Sequence, residues 1–531
     1  MTTTDGEWWR PGVLYQVYPR SYADSNGDGV GDIPGLIDHL DHLEWLGVEG
    51  IWLSPTMPSP NADWGYDVAD YRAVSPDYGT LGDLDRLIDE AGRRGIRILL
   101  DLVPNHTSDR HAWFVDSRSS PSSEHRDWYV WADPKPDGST PNNWVSSFGG
   151  PAWTLDPASG QYYLHNFLPE QPDLNWWNDA VRDEFDSILR FWFDRGVAGF
   201  RIDVAHAVIK DALLRDNPPA TPDDDLVARI FGQRSVYNAN RPEVHEVIRR
   251  WRRIADSYDP PRLLLGETSV HRLDDLIPYY GRGDDELNLA FNFVFIESAF
   301  EADVLRAVVE GTEARIPTGA WPVWTGSNHD VSRFASRWAG GDPAKARLAL
   351  LILMTLRGTP VLYQGDEIGA LDTELAQGDI LDPVGRRFWP AYVGRDPERT
   401  PMQWEAGPGA GFTRPGVRPW LPIGDAAAHN VADQRPDAGS MLNLARDLIG
   451  LRRENADLSG GTYRSRPAPA GAWMWSRGGG ATVAANLSDA PVSVETGPGR
   501  VAIATDRSLD GRSVTGTLEL GPWQGAVILA D

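Results

Sequence analysis

Three carboxylates in this 531-residue chain stand where apolar runs end: Asp203 in GVAGFRIDVAHA (196–207), Glu267 in RLLLGET (262–268) and Asp330 in SNHD (327–330). At a period of two, Gly199, Arg201 and Asp203 share one face of a short strand. An arginine two residues before a buried carboxylate on that face is expected to hold it ionised. An ionised aspartate at the end of an apolar strand is equipped to attack a sugar carbon. Glu267 closes a strongly apolar run, a desolvated place suited to a general acid. Retaining cleavage of a glycoside needs such a pair about 5–5.5 Å apart. A third carboxylate, Asp330, can grip sugar hydroxyls while positive charge develops at the anomeric carbon. His106 and His329, as neutral or cationic donors, suit sugar hydroxyls, and neither sits at a spacing that suggests zinc.

Side chains from such distant parts of the chain can meet only if the fold aligns the strand ends. Eight short apolar runs, with little polar alternation, read as strands: 13–19, 47–55, 95–103, 196–204, 262–268, 289–295, 321–326 and 358–365. Amphipathic helical patterns fill most gaps, at 34–47, 81–95, 180–196, 242–258 and 342–358, and several end in glycine. Strands alternating with helices in this number predict an α/β fold, a (β/α)8 barrel with its chemistry at the carboxyl ends of the strands. Those ends carry Asp101, Asn105 and His106 after strand three, Arg201 and Asp203 at strand four, Glu267 at strand five, and Asn328, His329 and Asp330 at strand seven.

Residues 105–175, rich in Pro, Gly, Ser, Trp and Asn, are too long for a structureless loop and read as a subdomain inserted after strand three. Beyond a helix at 440–455 the pattern changes to short alternating runs, a small antiparallel β-sandwich. The expected domains are therefore a barrel of 1–104 and 176–457, an insert of 105–175 and a C-terminal β-domain of 458–531.

Composition narrows the partners. The chain is 41% hydrophobic and 24% charged, with 50 Lys plus Arg against 76 Asp plus Glu, a formal charge of −26. That balance argues against nucleic acid and anionic membranes and suits a neutral small ligand. There are no cysteines, which excludes disulfides and thiolate metal sites. No secretory leader is read in MTTTDGEWWRPG, and no apolar run approaches the roughly 18 residues of a membrane span. A cytoplasmic enzyme without an obligate protein partner is the expectation. Some of the 23 tryptophans and 16 tyrosines suit sugar faces.

The segments DLVPNH (101–106), GFRIDVAHA (199–207), GET (266–268) and SNHD (327–330) resemble the four signature regions of glycoside hydrolase family 13, the α-amylase family. QPDLN (171–175), GYDVADY (65–71) and RTPMQW (399–404) resemble its α-glucosidase and oligo-1,6-glucosidase branch. The likeness runs from Trp9 through the C-terminal region. It implies Asp203 as nucleophile, Glu267 as acid/base and Asp330 as transition-state stabiliser. It also implies that His106, Arg201 and His329 line the pocket for the sugar being cleaved and that Tyr66 stacks on its ring. Asp67 with Arg399 would bind the far hydroxyls, Arg395 being the substitute for Arg399, and Phe148 and Phe167 would wall the pocket. An acid and an arginine at the pocket floor favour exo action on terminal glucose.

The segment Asp24–Asp32, DSNGDGVGD, sets oxygen donors at alternate positions around glycines, as calcium loops do. Its twelfth position is Gly35, so it lacks the bidentate glutamate of an EF-hand. By resemblance Asp24, Asn26, Asp28, the Val30 carbonyl and Asp32 hold a structural Ca²⁺ or Mg²⁺; a turn of Asx residues without metal is the alternative. No cofactor is expected for catalysis.

Linkage cues disagree. A valine directly after the nucleophile, Val204, accompanies α-1,6 cleavage in the resembling branch. Thr268 after Glu267, and Ala205–His206, depart from the oligo-1,6-glucosidase pattern. The reading is an α-glucosidase acting on short, mainly α-1,4-linked substrates such as maltose, with transglucosylation as an accompanying outcome. The alternatives are an oligo-1,6-glucosidase, a transglucosylase, or an enzyme isomerising sucrose or maltose. A non-catalytic transport partner would have a membrane anchor and could lose the acids, and this chain keeps all three.

Overall fold

The structure, a computed structural model, describes residues 6–224 and 226–530. Residues 1–5, part of the stretch read for a leader, together with Asp225 and Asp531, lie outside the described residues. Each of the eight apolar runs contributes a strand: β1 (Leu14–Val17), β2 (Gly50–Leu53), β3 (Arg97–Leu102), β4 (Gly199–Ile202), β5 (Leu263–Gly266), β6 (Leu289–Ala290), β7 (Val323–Thr325) and β8 (Thr359–Tyr363). All neighbours pair in parallel, in the order β7-β8-β1-β2-β3-β4-β5-β6. A single parallel bridge, Phe291 to Val323, joins the two ends of that order and closes the barrel.

Alternation along the strands sorts their side chains. Leu14, Trp52, Leu99, Leu263, Leu265, Leu289, Val323 and Val361 pack together inside the barrel. Their neighbours in sequence, such as Tyr15, Ile51, Leu100, Phe200, Leu264 and Leu362, face the surrounding helices. Two residues further along the inner face, Leu99 gives way to Asp101, Gly199 to Arg201 and Leu265 to Glu267. The lower barrel is an apolar plug, and the same register presents charge at the carboxyl end. Gly199 permits the closest approach of β4 to β5, because a Cβ there would lie 2.3 Å from the Leu263 carbonyl oxygen.

One helical and one strand expectation need correction in detail. The stretch 34–47 is two helices, Ile33–Asp38 and Leu40–Leu46, broken at His39, whose ring bonds back to the Gly35 carbonyl. The run 289–295 is strand only over Leu289–Ala290, because the Asn292 side chain then accepts the Phe295 N–H and caps a helical turn, Phe293–Ile296.

Within 105–175 lie a helix, Ala112–Ser119, and a small antiparallel sheet of Trp131–Ala132, Tyr162–Leu164 and Trp153–Leu155. Amide side chains join this stretch to the loop after β4. Asn142 donates to the Leu214 carbonyl, Asn143 exchanges bonds with Asn217, and Asn217 donates to Gln233 and Asn238, while Asn238 and Asn166 bond each other. No helix among the described residues is long and apolar enough to cross a membrane.

The C-terminal strands, β9 (Tyr463–Arg466), β10 (Ala472–Arg477), β11 (Ala481–Asn486), β12 (Val492–Ala504), β13 (Ser513–Leu520) and β14 (Gly525–Leu529), form one antiparallel sheet, ordered β9-β10-β11-β14-β12-β13. Register shifts in β12 allow it to bend. Trp473, Trp475, Val483 and Val527 pack toward the barrel's main core, whereas Met474, Ala484, Ile528, Val494 and Leu518 form a separate core.

Candidate active site

The ladder carries two of the acids on its last rungs. The Asp203 N–H bonds the Leu102 carbonyl at 2.8 Å, and the Glu267 N–H bonds the Ile202 carbonyl at 2.9 Å. Between them lies Arg201, fully buried. Its Nη1 contacts Asp101 and Asp203, each at 2.8 Å, and its Nη2 contacts Glu267 Oε2 at 2.5 Å. Trp52 lies 5.0 Å from the guanidinium carbon and donates to Asp101 at 3.1 Å.

One positive charge thus serves three buried carboxylates. Burial pushes the Asp101 carboxyl up to about 7 despite Arg201. Burial likewise pushes Asp203 well above the usual carboxylate range, with Glu267 and Asp101 opposing Arg201's attraction. The expectation that Arg201 by itself holds Asp203 ionised is therefore corrected: the guanidinium is shared.

At the β7 end the balance is reversed. Asp330 follows Asn328, whose side chain accepts the Asp330 N–H at 2.8 Å. Arg399 Nη2 lies 2.6 Å and Arg395 Nη1 3.3 Å from Asp330 Oδ1, and His329 is 3.2 Å from Oδ2. Burial would raise Asp330, but His329 and the two arginines outweigh it and hold the carboxyl far below its ordinary range.

His106 and His329 both line the cluster, and burial depresses both imidazoles. Burial, then the Lys210 charge, depresses His106 to about 3. Burial drives His329 well below its ordinary value. A chain of donors sets the His106 tautomer. Lys210 bonds the Asn105 side-chain oxygen, and the Asn105 amide donates to His106 Nδ1 at 3.0 Å, which leaves His106 Nε2–H to donate to the Tyr66 carbonyl, with the Gln171 amide also 3.1 Å from Nε2. Lys210 also contacts Asp173 at 2.8 Å, tying the 171–175 segment to the ends of β3 and β4. The sequence reading did not single out Lys210.

Tyr66 reaches the cluster. Its hydroxyl contacts His329 and lies 3.2 Å from Asp101 and 3.3 Å from Arg201. One ring face stacks on His329 at 5.3 Å, so only the other is left for a sugar. Asp67 does not reach the arginines. It is wholly buried and accepts the Ser59 hydroxyl and the Ala62 and Asp63 N–H groups, closing its own loop. The acid that meets an arginine is Asp63, 2.7 Å from Arg395 Nη2 and 3.1 Å from the Gln171 amide. Burial raises Asp63 to about 6. Asp63 and Asp67 flank the same WGY, and the left-handed turn at Trp64 and Gly65 decides which one faces inward. Periodicity carries no sign of that turn.

Arg399 is buried against Asp330 and the His329 carbonyl, whereas Arg395 bridges Asp63, Asp330 and Asp382. The acid and arginine that pair are therefore Asp63 and Arg395, whereas Asp67 and Arg399 bond other partners. Phe148 lies under Arg395 at 5.0 Å, and Phe167 meets Phe148 at 5.4 Å and His106 at 5.1 Å, so the two rings link the Arg395 and His106 sides of the cluster.

Val204, directly after Asp203, adopts φ 35° and ψ 47°, a left-handed conformation that β-branched residues rarely hold. It aims its N–H at Glu267 Oε2, 3.0 Å away. Ser269 donates to the other oxygen, Oε1, at 3.0 Å.

The Asp24–Asp32 loop folds on itself. Asp24 accepts the Gly27 and Gly29 N–H groups, Asn26 and Asp28 bond each other, Asp28 accepts the Val30 N–H, and Asp32 accepts the Gly35 N–H and the Ser25 hydroxyl. Among the described residues no three His, Cys, Asp or Glu side chains gather closely enough to hold an ion by themselves. An ion here would also need the Asn26 amide oxygen and the Val30 carbonyl.

Comparison with known proteins adds to this geometry. The family model described as "Alpha amylase, catalytic domain" matches residues 16–461. A probable alpha-glucosidase of Rhizobium meliloti (strain 1021) is 44% identical, with 86% of this chain and 84% of the relative covered. An oligo-1,6-glucosidase of Heyndrickxia coagulans is 38% identical over 92% of this chain and 94% of its own. Among solved structures, an alpha-glucosyl transfer enzyme superposes with a TM-score of 0.91 at 41% identity, covering 99% of both chains.

Proposed function

The chain belongs to the α-amylase family and is a glycoside hydrolase, and from that premise we propose that it is a retaining, exo-acting α-glucosidase working on terminal α-linked glucose of short oligosaccharides. The observation that carries this reading is Arg201 bridging Asp203 and Glu267 directly, with Asp101 as third partner. A retaining reaction starts from one ionised and one protonated acid, and a single guanidinium shared between Asp203 and Glu267 is compatible with that division.

With the proton on Glu267, Asp203 attacks the anomeric carbon from one face. The glycosidic bond breaks, and the leaving oxygen takes the Glu267 proton. Water then gives a proton to Glu267 while its oxygen displaces Asp203 and regenerates the acid. A second sugar in place of water makes the outcome transglucosylation. Asp330, permanently charged between its cations, stabilises the positive charge of the flattened ring. Asp63 and Arg395 close the floor around the far hydroxyls, which restricts binding to chain ends.

Thr268 supports the α-1,4 preference, and Val204 supports α-1,6 as the second reading. Glucose release from maltose and isomaltose, measured in parallel, decides between them. Rapid cleavage of maltose, lost by several orders of magnitude in Asp203→Asn, is the expected result. Preference for isomaltose would establish the oligo-1,6-glucosidase reading, and accumulation of new disaccharides without free glucose would establish the transferase. Equal weak activity in parent and variant would overturn Asp203 as nucleophile.

The loop donors Asp24, Asn26, Asp28, the Val30 carbonyl and Asp32 are all hard oxygens, the type that fits Ca²⁺ or Mg²⁺. An ion there would brace the loop and take no part in the reaction. Added Ca²⁺ is expected to raise Tm over an EDTA-treated sample by a few degrees, and identical melting would leave the Asx turn alone. A cytoplasmic location accords with this reading.

A further inference from the structure

We propose that Ser269 is a positioning residue that governs the departure of the Glu267 proton; this rests on the reading of Glu267 as the acid/base. The two oxygens of Glu267 are not equivalent. Oε2 receives Arg201 Nη2 at 2.5 Å and the Val204 N–H at 3.0 Å. Both groups donate only, so they occupy the lone pairs of Oε2 and leave it no place for a proton. The proton exchanged with substrate therefore sits on Oε1, and the Ser269 hydroxyl reaches that atom, at 3.0 Å.

The backbone supports this asymmetry. The Ala205 N–H holds the Glu267 carbonyl at 2.9 Å, and left-handed Val204 turns its own N–H onto Oε2. Glu267 cannot rotate to exchange its oxygens without breaking the contacts with Arg201 and Val204. Ser269, two residues on and half-buried, is thereby placed beside the reacting oxygen.

In the first half-reaction the C1–O bond to the leaving group breaks, the Asp203–C1 bond forms, and the Oε1 proton passes to the leaving oxygen. As Oε1 becomes a carboxylate oxygen, the Ser269 hydroxyl donates to it and stabilises the charge left behind. The effect scales with how far the leaving group needs that proton. An alkoxide from glucose needs it fully, and a nitrophenolate scarcely at all.

The test is kcat/KM of Ser269→Ala on maltose and on p-nitrophenyl α-glucoside, with Ser269→Thr as the variant that keeps the hydroxyl. Ser269→Ala is expected to lose about tenfold on maltose and less than about twofold on the aryl glucoside, with Ser269→Thr recovering most of the maltose loss. Equal losses on both substrates, no loss on either, or a Thr variant no better than Ala would overturn the proposal. Glu267→Gln separates the two levels. If that variant still cleaves maltose at the parent rate, the acid/base reading itself falls. If it loses maltose but retains the aryl glucoside, the reading stands and the Ser269 result is judged on its own.

Discussion

At the β4 end of the pocket one guanidinium, Arg201, serves Asp101, Asp203 and Glu267, whereas at the β7 end two, Arg395 and Arg399, serve Asp63, Asp330 and Asp382. Every one of these groups is largely buried, so burial alone does not distinguish them. The ratio of cation to acid does. With one cation, burial raises Asp101 and Asp203; with two, Asp330 and Asp382 are held below their ordinary range, although burial still pushes Asp63 up to about 6. A cluster in which burial favours the protonated carboxyl suits proton transfer, and a carboxylate held low suits a developing oxocarbenium ion.

The largest effect that could break this comparison is loss of the scarce cation. Arg201→Met leaves three buried acids uncompensated and is expected to cost about 3–5 kcal/mol of stability together with at least about a thousandfold in kcat/KM. Arg395→Met, at the cation-rich end, is expected to raise KM for maltose about ten- to a hundredfold with a smaller loss of kcat, because Arg399 remains on Asp330. Denaturant melts and maltose kinetics on both variants measure this, and an inverted ranking defeats the comparison.

An intermediate effect is the pH dependence of stability. Asp101 in the folded chain keeps its proton up to about 7, so raising pH from 4 toward 8 ionises a buried group and lowers stability. Replacing it, Asp101→Asn, is expected to lift Tm relative to the parent increasingly with pH, by a few degrees near pH 8. Asp330, held low, contributes above the ordinary carboxylate range and loses that contribution as pH falls. Asp330→Asn is therefore expected to melt below the parent at neutral pH, with the gap closing under acid conditions. Melting series of opposite slope are the expected observation, and parallel ones would show the two ends to be alike.

The smallest effect sharpens the assignment of the floor. Asp63→Asn is expected to raise KM for maltose about tenfold, since it faces Arg395. Asp67→Asn is expected to lower Tm by a few degrees with kinetics unchanged, since it closes the 59–67 loop. The reverse pattern would return the floor role to Asp67.

What could be read from the chain beforehand follows a physical line. All eight barrel strands were legible because buried parallel strands are written as apolar runs, and the acids at their ends were legible because strand register carries Arg201, Asp203 and Glu267 onto one surface. Loop residues were not. Asp63 against Asp67, and Arg395 against Arg399, are chosen by turns at Trp64 and around residues 396–398 that leave no periodic trace. Lys210 and Ser269 were missed because their partners, Asp173 and Glu267, are set by tertiary contact, and the sharing of Arg201 among three acids is visible only in space.

The amide contacts between the inserted stretch and the loop after β4 have an evolutionary consequence. Asn142, Asn143 and Asn166 on one side bond Leu214, Asn217 with Gln233, and Asn238 on the other, though nearly fifty residues or more separate the two sets. A change on one side strands a buried amide on the other, so substitutions across this seam will not act independently. Remodelling this side of the protein therefore favours change in both segments together, by paired replacement or exchange of the whole block spanning 142–238.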